Sequence, residues 1–207
     1  MDITNFDFAS FILRGIAVII SLSIHEYSHA LVSYMQGDKT PQYYGRLTLN
    51  PLAHIDVMGL IALFVFKFGW AKPVPINSYY YKNERAGVVL TSMAGPLSNL
   101  LLAFFSILIL LGIQPRNSGV EAFLWELFVI NIGLAVFNIL PFPPLDGSKI
   151  FAELFGGKVA EFIYRIERTG IFILFFLLWI PEVSRAFGGL IGIVAEFIFK
   201  VAANIVV

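Results

Sequence analysis

Apolar residues along this chain gather into runs separated by polar, glycine-rich or proline-rich breaks. The run from Phe11 to Met35 contains no proline, and its only charged side chains are Arg14 and Glu26. At 1.5 Å per helical residue it reaches about 37 Å, enough to cross the hydrocarbon layer of a bilayer. Ala86 to Ile113 and Phe123 to Leu140 predict two more spans. Phe187 to Val207 predicts a last one, with its glycines and Glu196 leaving its depth open. Two runs are short. Val57 to Phe68 holds about 12 residues and suits an interfacial or partly re-entrant helix. Gly170 to Ile180 needs residues from about Tyr164 onward to make a span.

The breaks carry their own predictions. Met1 to Ser10 reads as a polar-aromatic arm, and Gly37 as a helix stop followed by a loop over Asp38, Lys39, Thr40 and Pro41. Tyr43 to Asn50 reads as strand-like. Gly69 to Asn77 contains Pro73 and Pro75, which lack amide donors, so an extended segment or edge strand is expected there. Tyr79, Tyr80 and Tyr81, with Lys82 and Arg85, suit a membrane interface. Ala94-Gly95-Pro96 and Ser98-Asn99 mark a place for close helix approach or a bend. Pro141 to Gly147 breaks the helix in apolar surroundings, and non-helical backbone at membrane depth must be covered by protein or line a wet cavity. Ser148 to Arg168 mixes charges of both signs and predicts interfacial helix.

Composition narrows the class. Of 207 residues 58% are hydrophobic and 14% charged, and the mean hydropathy is +0.81, too apolar for an ordinary soluble domain. The expected fold is an all-α polytopic membrane protein of about four to six membrane helices, with short re-entrant or strand-like segments around an intramembrane metal site. Residues 1–207 read as one integral-membrane domain, with 36–86 a cytoplasmic or membrane-associated connection within it. Fourteen basic and fourteen acidic residues balance, which gives no reason to expect a nucleic-acid partner. The absence of cysteine excludes disulfides, thiolate metal ligands and a cysteine nucleophile. The first apolar run lacks a basic lead, exceeds signal-peptide length and is expected to be retained.

One stretch inside that first run carries chemistry. His25-Glu26-Tyr27-Ser28-His29 places two imidazoles four residues apart on one helical face, where both reach one metal ion. Three titratable side chains in five residues are costly in hydrocarbon unless they meet a metal, a partner or a wet cavity. Glu26 stands beside them as general base and proton shuttle. A catalytic zinc takes three protein ligands, and the chain has only three histidines, so the third is His54 or a carboxylate. Asp146 is preferred because it lies in a forced irregular segment against an apolar span. His54 is left between oxyanion donor, hydrogen-bond acceptor behind the ligands, and loop order. Asn138 is left between substrate or oxyanion contact and helix-to-helix bonding or capping. Asn131 reads as interhelical glue, and Asp56 as a loop cap.

These residues, with Asn50-Pro51-Leu52-Ala53-His54-Ile55-Asp56, Gly69 to Pro75, Ala94 to Asn99 and Asn138 to Gly147, run in family order over about 125 residues. Together they resemble the site-2 protease family of intramembrane zinc metalloproteases, specifically small members without a PDZ domain. The resemblance implies one Zn2+ per chain held by His25, His29 and Asp146, with Glu26 as acid and base. It carries His54 and Asn138 over as active-site polar residues. It implies hydrolysis in or near the transmembrane segment of a membrane-anchored protein or remnant signal peptide, with Gly69 to Pro75 receiving the unwound strand. Val57 after Asp56 and Ser148 after Gly147 depart from the family pattern, which bears on loop geometry more than on ligands.

Charge predicts orientation. Lys39, Arg46, Lys67, Lys72, Lys82 and Arg85 crowd the connection between the first two long runs, whereas Gln114 to Ala122 carries only Arg116 as a basic residue. The positive-inside rule then puts that connection and the Lys149 to Arg168 segment in the cytoplasm, the N-terminus outside, and the site opening toward the cytoplasm, in a prokaryotic inner or plasma membrane. Oligomeric state stays open, homo-oligomer included. A silent zinc-binding scaffold is the alternative of a different class. A metal transporter is disfavoured, because one tight site comes with no second carboxylate-histidine relay.

Overall fold

The computed structural model describes residues 8–66 and 69–206, so the first seven residues of the arm, the end of the Val57 to Phe68 run and Val207 lie outside the described residues. Among the described residues eight α-helices follow one another: α1 (Phe8–Met35), α2 (Thr40–Tyr43), α3 (Val57–Phe66), α4 (Glu84–Ile113), α5 (Ser118–Asn138), α6 (Asp146–Phe155), α7 (Gly157–Leu178) and α8 (Pro181–Val206). Four of these, α1, α4, α5 and α8, are long and apolar enough to cross a membrane. This is an all-α polytopic membrane fold, and its four long spans meet the lower end of the expected range.

Helix α4 is the hub, in contact with α1, α5, α6 and α8. Lipid tails are as apolar as leucine, so membrane helices associate through close packing and interhelical hydrogen bonds. The sequence of α4 supplies both. Gly87, Thr91, Gly95, Asn99 and Ala103 recur every fourth residue and are all buried, forming a stripe of small and polar side chains along one face. Opposite it, α1 buries Ala17, Ser21, Ser23, Ala30 and Ser33. Further along, Ala103 and Ile107 pack with Phe128, Ile132 and Val136 of α5 and Ile198 and Ala202 of α8.

Polar residues join the three central helices where the apolar pattern is interrupted. Asn131 donates from Nδ2 to Ser21 Oγ at 2.7 Å, and Asn99 donates from Nδ2 to Asn131 Oδ1 at 2.6 Å. Asn131 is therefore interhelical glue, as its position predicts; such bonds contribute about 0.6 to 2 kcal/mol each inside a bilayer. Near the start of α1, Arg14 forms a two-pronged ion pair with Glu126 of α5, at 3.0 and 2.8 Å.

Several boundaries differ from the sequence pattern. Tyr43 to Asn50 is not a strand: α2 ends at Tyr43, and a turn and bends follow. Pro41 occupies the first turn of α2, and its carbonyl receives the Arg46 amide at 2.8 Å, which folds this stretch on itself. The Arg46 side chain is buried and donates to the carbonyls of Ala53 and Lys72, tying two loops together. Gly37 ends α1 with φ +109°, a left-handed geometry that suits glycine. Helix α4 continues through Pro96 without a break. The charged stretch divides at Gly156 between α6 and α7, and α7 runs on through the apolar Thr169–Leu178. Glu196 is exposed and pairs with Lys200 one turn on, at 2.6 Å.

The connection between α1 and α4 lies against the bundle. Among the described residues β-pairing is confined to one antiparallel bridge, Ile55 with Ala71, beside which the Lys72 amide donates to the His54 carbonyl at 2.8 Å. Residues 72–77 belong to neither helix nor strand, and the two prolines account for the absence of helix. Asp56 caps α3 by accepting from the Gly59 amide at 2.8 Å. Helix α3 exposes Val57, Met58 and Ile61, apolar side chains suited to lipid.

Candidate metal centre

Two helical turns and one irregular corner build the site. His25 and His29 project from one face of α1, as four-residue spacing requires, and both are buried. Asp146 is the first residue of α6 and comes from the corner after α5. That corner closes through the Leu145 amide donating to Phe142 and the Ser148 amide donating to Leu145, at 2.9 and 3.0 Å. Gly147 permits the close approach, since a Cβ there would lie 2.1 Å from the Ile139 carbonyl oxygen. A carboxylate at a helix N-terminus is also favoured by the helix dipole.

The three side chains meet. Asp146 Oδ2 lies 3.2 Å from His25 Nε2 and 3.2 Å from His29 Nε2, and the two imidazole nitrogens are 3.0 Å apart. The outer ring nitrogens fix the tautomers. His29 Nδ1 stands 2.7 Å from the Thr91 carbonyl, which only accepts, so this nitrogen carries the proton. His25 Nδ1 stands 2.6 Å from Asn99 Oδ1, while the Asn99 amide nitrogen donates to Asn131 and to the Ser21 carbonyl. Both rings therefore turn Nε2 inward, where a neutral imidazole offers a lone pair, and Asp146 Oδ2 has no hydrogen-bond partner among the described residues. Three converging acceptors repel unless a cation lies between them.

Size agrees with that requirement. Tetrahedral ligands at about 2.0 Å from a zinc ion are about 3.3 Å from one another, against 3.0 to 3.2 Å here. Gly95 leaves the space: a Cβ there would lie 2.4 Å from His29 Nε2 and 2.6 Å from His25 Nε2. His25, His29 and Asp146 are thus a cluster able to hold a metal ion.

Around it lies a cavity of about 580 Å³, lined by Glu26, Asn138, most of the segment 69–76 and residues of α4, α6 and α7. Glu26 is half-buried, and its Oε2 accepts the Val74 amide at 3.2 Å. Val74 sits between Pro73 and Pro75, so this is the one amide donor of the three residues. Asn138 donates from Nδ2 to the Leu134 carbonyl one turn back, at 3.0 Å. His54 is buried, donates from Nε2 to the Thr48 carbonyl at 2.8 Å and lines an adjoining cavity, not the one around the three side chains.

Known proteins are similar to this chain in sequence. The model of a family described as "Peptidase family M50" matches residues 113–180. Three relatives bear the name "Putative zinc metalloprotease": YwhC of Bacillus subtilis (strain 168), Rip2 of Mycolicibacterium smegmatis and MJ0611 of Methanocaldococcus jannaschii. YwhC is 40% identical over 82% of this chain and 80% of its own length. The chain belongs to peptidase family M50. Rip2 is 29% identical over 86% of this chain and 70% of its own, and MJ0611 is 29% identical over 84% and 85%. No solved structure matches with significance. The site-2 protease resemblance and the membrane fold agree with this membership. This M50 chain is a membrane-embedded, metal-dependent peptidase, with a buried His-His-Asp cluster at its centre.

Other parts of the site carry no sequence signature. Thr91 acts through its carbonyl, which any residue type possesses. Asp38 lies in a stretch predicted only as loop, yet it is buried and accepts from Ser33 Oγ and from the amides of Thr40 and Asn77, at 2.9, 2.9 and 2.8 Å. Tyr81 is buried and donates to Ser33 Oγ at 2.8 Å, near Thr91 Oγ1 at 3.1 Å. Asn99 does have a signal, a carboxamide in an apolar span, which marks a functional partner.

Proposed function

We propose that this peptidase is an intramembrane zinc endopeptidase, one Zn2+ per chain, ligated by His25 Nε2, His29 Nε2 and Asp146 Oδ2. The observation that carries the reading is the convergence of three lone pairs within 3.2 Å, one of them without a hydrogen-bond partner among the described residues. Bound zinc supplies a Lewis acid that acidifies water and polarises a carbonyl.

The chain's own residues supply the rest. Glu26 is held with one carboxylate oxygen on the Val74 amide, which orients its other oxygen for proton transfer. It takes the proton from water and returns it to the leaving amine, the paired acid and base roles that peptide hydrolysis needs. Thr91 and Asn99 hold the histidines in the tautomer that presents Nε2. Asn138 faces the same cavity and serves as a contact for substrate main chain or the oxyanion. His54 supports the segment that lines the cavity, through its carbonyl and the Lys72 amide.

The substrate class is a membrane-anchored protein or remnant signal peptide, unwound locally beside the segment 69–77. An intact helix withholds its carbonyls in hydrogen bonds. Residues 1–207 act as one membrane domain, 36–86 being a membrane-associated connection on the cytoplasmic side. The site opens toward the cytoplasm of a prokaryotic cell.

Metal content and cleavage test this together. Detergent-purified wild type should carry about one zinc per chain, and Asp146→Ala well under that while remaining monodisperse. Glu26→Gln should keep its zinc and lose hydrolysis by at least about 100-fold, the lower range of general-base catalysis. Equal zinc in wild type and Asp146→Ala would overturn the ligand set. Zinc-loaded wild type without hydrolysis of any membrane peptide would make the chain a silent scaffold.

A further inference from the structure

A second cavity, of about 360 Å³, lies beside the metal site and is unaccounted for by the chemistry. Its walls are mostly apolar, with Ser23, His54 and Asp56 as the polar side chains in its lining. On α1 it is lined by Val18, Ile19, Leu22 and Ser23, and the catalytic cavity by Leu22, His25, Glu26 and His29. Steps of three and four residues place Val18, Ile19, Leu22, His25, Glu26 and His29 on one face of the helix. On α5 the same holds, with Ile130, Gly133, Leu134 and Phe137 followed by Asn138. The two cavities share Leu22, Gly69, Trp70, Ala71, Leu134 and Phe137. They are successive compartments of one groove between α1 and α5.

We propose that this compartment is a specificity subsite, which takes a large apolar side chain of the substrate's own transmembrane segment. The proposal rests on the peptidase reading above. Continuity with the catalytic cavity commits it to the substrate: a strand lying beside residues 69–77 with its carbonyl at the metal site runs on past Ala71 into this space. Distance sets the register. From His25 back to Val18 is seven residues of helix, about 10 Å, which an extended strand covers in about three residues. The side chain read is therefore about three residues from the scissile bond, toward the N-terminal end of α1. Apolar walls reward a Leu or Phe there over Gly, and a pocket of this kind discriminates by about 10- to 200-fold.

Gly133 provides the test, because a Cβ there would meet nothing within 4 Å. Gly133 lines the compartment, so a larger side chain at this position starts from open space and takes up volume there. The probes are single-span Leu/Ala peptides with one residue varied among Gly, Ala, Leu and Phe, cleaved in detergent and mapped by mass spectrometry. Wild type should show at least about tenfold higher kcat/KM for Leu or Phe than for Gly about three residues from the cleaved bond. Gly133→Leu, zinc-loaded and monodisperse, should lose that preference. Persistence of the preference in Gly133→Leu, or a preference centred elsewhere, would overturn the proposal.

Binding is read separately. The chain has no cysteine, so Gly133→Cys carries a unique thiol. Zinc-loaded Gly133→Cys should be shielded from a thiol reagent by the Phe peptide and not by the Gly peptide. Equal shielding by both, relieved on removing lipid, would assign the compartment to an acyl chain and overturn the proposal. Should no peptide be cleaved, the peptidase reading fails, while differential shielding still decides the subsite.

Discussion

Gly95→Ala adds one methyl group, which would occupy the space where the two imidazoles stand. Its Cβ would lie 2.4 Å from His29 Nε2, 2.5 Å from His25 Cε1 and 2.6 Å from His25 Nε2. Ordinary contact begins near 3.4 Å, so the rings must move by about 1 Å. A metal site tolerates changes of about 0.2 Å in its ligand distances. The histidines cannot retreat freely, because their Nδ1 atoms are held by Asn99 and the Thr91 carbonyl at 2.6 and 2.7 Å. Losing the tuning partner of a ligand costs about 10- to 100-fold in metal affinity, and displacing both proposed ligands should cost at least about 100-fold. Helix propensity works in the opposite direction, since alanine is favoured over glycine by about 1 kcal/mol. The variant should therefore fold and lose zinc. Competition with a zinc chelator, followed by metal analysis of the monodisperse peak, measures this. Gly112→Ala, also on α4 with its nearest contact at 3.8 Å, is the control and should bind zinc as wild type does. Wild-type zinc affinity in Gly95→Ala would refute the reasoning, since it would place the imidazoles elsewhere.

Asn99→Leu keeps the bulk but removes the acceptor for His25 Nδ1 and the link to Asn131. Zinc affinity should fall about 10- to 100-fold, checked by the same competition. Asp38→Asn tests the buried carboxylate outside the spans. Burial alone would raise the Asp38 pKa, but bonds from Asn77, Thr40 and Ser33 outweigh it and hold the group below its ordinary value of 3.8. A depressed folded pKa stabilises the protein above the unfolded value, and that contribution is lost as pH falls through the folded one. Asp38→Asn should therefore lower stability by about 1 to 3 kcal/mol at neutral pH, and the gap to wild type should close below about pH 4. A gap in thermal melting that stays constant with pH would show that Asp38 acts through packing.

Local rules make much of this protein legible in its sequence. Two histidines four residues apart share a helical face whatever surrounds them, so the metal-facing edge of α1 is written in His25 and His29 alone. Run length and hydropathy mark α1, α4, α5 and α8, because crossing a bilayer demands about 20 apolar residues in succession. Paired prolines keep residues 72–77 out of a helix, and Asn131 betrays an interhelical bond by its polarity in an apolar span. Tyr43 to Asn50 misleads: its residue types suit a strand, but Pro41 and the buried Arg46 bind it into turns. Tertiary structure decides what lies far apart in sequence. Asp146 reaches the histidines across about 120 residues only because the corner after α5 and the glycine at 147 turn its carboxylate inward. The Thr91 carbonyl, the room left by Gly95 and the second compartment beside the metal site likewise arise from how α1, α4 and α5 pack. A helix repeats every 3.6 residues and shows its face in its own sequence, whereas the meeting of separate helices depends on shape and on every partner at once.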